Sequence, residues 1–230
     1  MEPEGLAALA AQLEGDWEAR RKALEKLGRL QGARGQARAV ALAVSHLTDE
    51  DCLVRRAAVS AGVRLVAPLP DPDNEGRFLE ASDGEREGAA SLLQQVLPML
   101  EDQDDGVRRV ALGAVGELAC SGDSDLLGML RKHLGDFDDD VRAAAAAAVG
   151  RLALRGDTQS LDAVMPLLED DDESVRKAAV RAVARIARPS DEAAIAKLTQ
   201  VARGDEDDDV RRKAASARAG LLAAAAAGQS

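Results

Sequence analysis

A valine–arginine pair preceded by an acid returns along this chain at a nearly fixed interval. The pairs are Val54-Arg55, Val107-Arg108, Val141-Arg142, Val175-Arg176 and Val210-Arg211. An aspartate stands five residues before each valine: Asp49, Asp102, Asp136, Asp170 and Asp205. Ala19-Arg20, with Glu14 in the acid position, is a weaker first copy. Successive copies lie 35, 53, 34, 34 and 35 residues apart. A period of about 20–50 residues marks a stack of supersecondary units. Such a unit buries its apolar face on its neighbours, so the 230 residues read as one continuous array.

Each unit reads as two antiparallel helices, A and B, joined by an acidic turn. In the fifth, helix A is apolar at spacings of three and four through Leu161, Val164 and Leu167 or Leu168. Pro166 is expected to kink it, as Pro98 is in the third unit. Helix B begins in the acidic cluster, where carboxylates cap free N–H groups and meet the positive end of the helix dipole. The units fall near 5–30, 34–66, 88–119, 123–153, 157–187 and 190–226. Aromatic residues are 1 % of the chain, so the core must be built from Ala, Leu and Val, which suits closely spaced helices.

Rotation at about 100° per residue places Ala145, Ala148, Val149 and Leu152 on the buried side with Val141, and Arg142 inside that arc too. A charge turned toward a core needs a partner. The recurring aspartate is the evident one, in its own unit or a neighbour. The expected structural ladder is therefore Asp49, Arg55, Asp102, Arg108, Asp136, Arg142, Asp170, Arg176, Asp205 and Arg211.

The pattern D-x4-V-R-x-x-A within two-helix units of this length resembles the HEAT repeat, in the short form also called the phycobilisome-lyase type. The resemblance covers nearly the whole chain. It implies an all-α fold, a right-handed α-solenoid of about six HEAT-like helix pairs whose B helices line a concave face. It also implies binding rather than chemistry, since the family is a class of scaffolds. A second reading drawn from the resemblance is a bilin lyase or chromophore-attachment factor. The absence of Tyr and the scarcity of other aromatics weigh against it.

One gap in the period exceeds the unit by about nineteen residues. The excess, 67–87, is rich in proline, glycine and acids and reads as a projecting loop, with Phe78 and Leu79 as its candidate contact residues. Asp71, Asp73, Glu75 and Gly76 resemble the start of a calcium loop, but Ser82 stands where that loop needs a bidentate Glu. No nucleophile–base set, phosphate loop or metal-ligand spacing is present, so no enzyme, cofactor or metal is expected. Cys52 and Cys120 read as small buried side chains in a reducing compartment. No signal peptide or membrane span is visible, and the expectation is a soluble intracellular protein, cytoplasmic by default. The formal charge of −11 argues against nucleic acid and anionic membranes as partners.

The functional lead is a row of cations two residues after the valine: Arg21, Arg56, Arg109, Lys177 and Arg212, with Ala143 the exception. A second row, ten residues after it, holds Arg29, Arg64, Arg151 and Arg185. Both are expected on the concave face, while the acids lie on the turn edge. The implied role is a non-catalytic interaction scaffold or complex subunit, binding an acidic protein segment on the concave face or a partner through the 67–87 loop.

Overall fold

The structure, a computed structural model, describes residues 5–67 and 81–227. Phe78, Leu79 and the calcium-loop-like acids lie outside these residues. Among the described residues every regular element is helical, and the contacts divide the chain into two compact units, 1–118 and 119–230.

The first unit holds three helix pairs: α1 (Leu6–Gln12) with α2 (Trp17–Leu27), α3 (Ala37–Val44) with α4 (Cys52–Val66), and α5 (Asp83–Val96) with α6 (Asp105–Leu118). The second holds three more: α7 (Ser124–Lys132) with α8 (Asp139–Leu152), α9 (Thr158–Val164) with α10 (Glu173–Ile186), and α11 (Glu192–Gly204) with α12 (Asp208–Ala227). The B helices pack on one another within each unit, α2 on α4 on α6 in the first and α8 on α10 on α12 in the second. The recurring valine drives this packing. Val54, Val107, Val141, Val175 and Val210 are all 0 % exposed, and each such burial is worth about 1.5–3 kcal/mol.

Three local features depart from the sequence expectations. Pro98 and Pro166 do not kink helix A. Its α-helix stops at Val96 or Val164, and the chain continues as a 3-10 turn over Leu97–Glu101 or Met165–Glu169 with the proline as second residue. There its missing N–H costs nothing. Helix α5 begins at Asp83 rather than near 88, because Ser82 and Glu85 form a capping box: each side chain accepts the other residue's backbone N–H. Cys52 is half-buried and Cys120 exposed, the latter because it lies just past the end of α6. The Cys52 thiol is pushed up by burial and by its bond to Asp104.

Glycine opens two repeats of the second unit. Gly122 and Gly156 both have φ 86°, a left-handed conformation that favours glycine. It aims the Gly122 N–H at the Leu152 carbonyl, 2.7 Å away, and the Gly156 N–H at Ile186, 2.6 Å away. An orphan carbonyl at the end of helix B is thereby satisfied.

Candidate functional site

The acidic turns contain two aspartates with different tasks, spaced D-x-D. The second caps helix B: Asp51, Asp104, Asp138, Asp172 and Asp207 each accept the backbone N–H of the recurring valine at 2.9–3.3 Å. The first takes the N–H of the capping residue, as Asp102 takes that of Asp104 and Asp170 that of Asp172, both at 3.0 Å. Its other lone pairs face the arginine of the preceding copy. Arg20 lies 2.9 Å from Asp49, Arg55 2.8 Å from Asp102, Arg142 2.8 Å from Asp170 and Arg176 2.9 Å from Asp205. The same guanidinium reaches back to its own turn. Arg142 Nη1 donates to the carbonyls of Asp136 and Phe137 at 3.0 and 3.1 Å. Each of Arg20, Arg55, Arg142 and Arg176 so joins two turns, its own by backbone and the next by carboxylate. Arg108 donates to the Asp102 and Gln103 carbonyls, and Arg211 to those of Asp205 and Glu206.

Burial pushes Asp102 and Asp170 up, but the arginine bonds, the Asp104 and Asp172 N–H groups and the nearby positive charge outweigh it and hold both below the usual carboxylate range. A carboxylate with a depressed folded pKa contributes stability that is full above its unfolded value, about 3.9, and is lost as pH falls through the folded one. Urea unfolding followed downward from pH 6 should therefore lose midpoint below about pH 4. Arg55→Ala and Arg142→Ala should each flatten that slope. An undiminished slope in both would remove these pairs as its source.

The cation rows fare differently in the two units. In the first, Arg21, Arg56 and Arg109 of one row and Arg29 and Arg64 of the other line a groove of about 500 Å³ across α2, α4 and α6. Leu24, Ala57, Ala61 and Val110 give it an apolar floor, and Leu53 stands beside them. Among its lining residues Glu25 is the one carboxylate, bound by Arg21 within the same helix at 2.6 Å. The Arg56 guanidinium lies over Gly106, where a Cβ would come within 2.7 Å of its Cζ. In the second unit Lys177 stands 3.4 Å from Asp207, Arg212 pairs with Asp209, and Ala143 interrupts the row. Arg151 and Arg185 are exposed on their helices.

Sequence reasoning missed two further arginines. Arg34 binds Glu85 at 3.0 Å and donates to the Arg64 and Ala67 carbonyls, so it joins the end of α4 to the first turn of α5. Arg155 donates to the Ala187 carbonyl at 2.9 Å. The available signal was the Arg-Gly dipeptide, Arg34-Gly35 and Arg155-Gly156, that opens both repeats. Among the described residues no group of three or more His, Cys, Asp and Glu side chains is placed to hold a metal ion, and no helix is long and apolar enough to cross a membrane.

Comparison with known proteins agrees with this architecture. Residues 129–219 match the family profile for HEAT repeats. A designed armadillo repeat protein in complex with the peptide (KR)4 superposes with TM-score 0.68 at 21 % identity, over 94 % of this chain and 99 % of that one. The archaeal HEAT-like repeats protein of Thermococcus onnurineus NA1 gives 0.62 at 16 % identity, over 96 % and 88 %. A chain of the full-length AP-3 complex gives 0.63 at 17 % identity, over 90 % of this chain and 35 % of that one. No curated protein sequence matches the chain significantly. The fold is that of the HEAT and armadillo-like repeat proteins, a class of stacked helix pairs. Residues 129–219 carry the HEAT signature itself.

Proposed function

We propose that this chain is a non-catalytic interaction scaffold that holds an acidic, extended or helical protein segment in the arginine groove across α2, α4 and α6. The observation that carries this reading is five arginines against one carboxylate in a groove of a chain with formal charge −11. Local charge opposite to the average steers an acidic ligand to one place and repels it elsewhere. The apolar floor gives such a segment something to bury. Lys177 and Arg212 already face Asp207 and Asp209, so they contribute little net field in this reading. The superposing armadillo protein that holds a peptide, and the AP-3 chain that is part of a complex, suit a binding role.

Fluorescence anisotropy with a labelled glutamate-rich peptide tests the reading. Arg56→Glu with Arg109→Glu should weaken binding at least about tenfold, and Lys177→Glu with Arg212→Glu much less. Affinity should fall as salt rises, because the groove is open to solvent. Equal losses from both pairs of reversals would move the ligand out of the groove.

A further inference from the structure

Phe137 is the most exposed large apolar side chain described, at 104 % relative exposure. It occupies the middle position of a D-x-D turn, where the other copies have Glu50, Gln103, Asp171 and Glu206. The turn beneath it is fixed. Its carbonyl and that of Asp136 are both held by Arg142, the Asp138 N–H is held by Asp136, and Asp138 caps α8. The phenyl ring is thus presented outward from an immobilised backbone, in a turn whose exposed carboxylates include the neighbouring Asp139 and Asp140. A rigid exposed aromatic is costly in water and loses little backbone freedom on binding, which is the character of an interface anchor.

Its receptor must offer an apolar floor with a cationic rim. The groove across α2, α4 and α6 has that chemistry: Leu24, Leu53, Ala57 and Val110 beneath a set of arginines. We propose that the Phe137 turn of one copy docks in the arginine groove of a second copy, the ring on the floor and the aspartates against the rim. This rests on the groove being an acidic-segment site and names its occupant. Knob and groove are different surfaces of the chain, so two copies can exchange knobs reciprocally in a two-fold pair, and a one-way contact, repeated, produces rings or open chains of molecules. The contact is small and charge-dependent, so it is weak and strengthens with protein concentration.

Sedimentation of the purified full chain across a range of concentrations tests this. Near about 0.1 M salt the average mass should rise with concentration to that of two chains or more, and near about 1 M it should fall back to one. Phe137→Ala should weaken association about tenfold or more without moving the melting temperature, since the ring has no packing to lose. Arg56→Glu should abolish it. Mixing these two variants should give pairs and nothing larger, because one supplies an intact groove and the other an intact knob. A wild type that stays monomeric at every concentration, a Phe137→Ala variant that assembles like wild type, or a mixture that stays monomeric would each overturn the proposal. The glutamate-rich peptide separates the two readings. Peptide binding by a wild type that never self-associates removes the self-docking alone, whereas no peptide binding removes the groove as well.

Discussion

Arg176→Ala is expected to lower the unfolding free energy by about 3–5 kcal/mol, the cost of breaking a buried ion pair from one side. Arg176 is the most enclosed of the ladder arginines, with 6 % of its side chain exposed and 6 % of that of Asp205. Its guanidinium makes two bonds to Asp205, at 2.9 and 3.1 Å, and two to the Asp170 and Asp171 carbonyls, at 2.8 and 3.0 Å. Truncation strips a buried carboxylate of its counter-ion and frees two carbonyls that water reaches poorly. The loss falls on two turns at once, so α10 and α12 lose a link as well as α10 its entry. Arg211 is the internal control. Its described partners are the carbonyls of its own turn and the exposed Asp208 carboxylate, so Arg211→Ala should cost about 1 kcal/mol. Urea unfolding of both variants measures the difference. Equal losses, or a loss below about 1 kcal/mol in Arg176→Ala, would show that the pairing is incidental to stability.

What the residues disclose in advance, and what they withhold, divides along physical lines. The buried valines were readable because a helix fixes which residues share a face, and the B-helix period is strict. That arginine must meet aspartate was readable from burial, since neither type is tolerated alone in a core. The partner within that set was not. It depends on how far one turn stands from the next, and the structure sends the guanidinium to the following copy's carboxylate while returning Nη1 to its own carbonyls. Arg56 and Lys177 occupy equivalent positions and look alike in sequence. Asp207 lies within reach of Lys177, whereas Arg56 lies over Gly106 and lines the groove of the first unit. Phe137 went unread because the repeat places no demand on the middle residue of the turn. An unconstrained position carries no periodic signal. Pro98 and Pro166 misled because a helix can end in a 3-10 turn just where a proline would otherwise bend it.

Gly150→Ala is expected to destabilise the protein by about 1–3 kcal/mol, although glycine to alanine inside a helix ordinarily stabilises by about 1 kcal/mol. A Cβ at Gly150 would stand 2.7 Å from the Ala182 Cα and 2.8 Å from its Cβ. Those atoms belong to backbone or sit directly on it, so no rotamer change relieves the clash. α8 and α10 must instead move apart, and every buried contact between them loosens. Gly113→Ala isolates the propensity term: the site is exposed in α6 with nothing within 4 Å, and the same change should stabilise. Gly28 holds the position equivalent to Gly150 in the first copy, and its Cβ would lie 3.0 Å from the Ala61 Cα. Ala61 lines the arginine groove, with Arg21 and Arg29 on α2 or just beyond it and Arg56 and Arg64 on α4. Gly28→Ala should therefore displace the α2 arginines from those of α4 and weaken glutamate-rich peptide binding, with a smaller loss of stability than at Gly150. Thermal melts of the three variants and peptide titration of Gly28→Ala decide it. If all three glycines respond with the same sign, close helix approach does not set the spacing, and the groove's width has another origin.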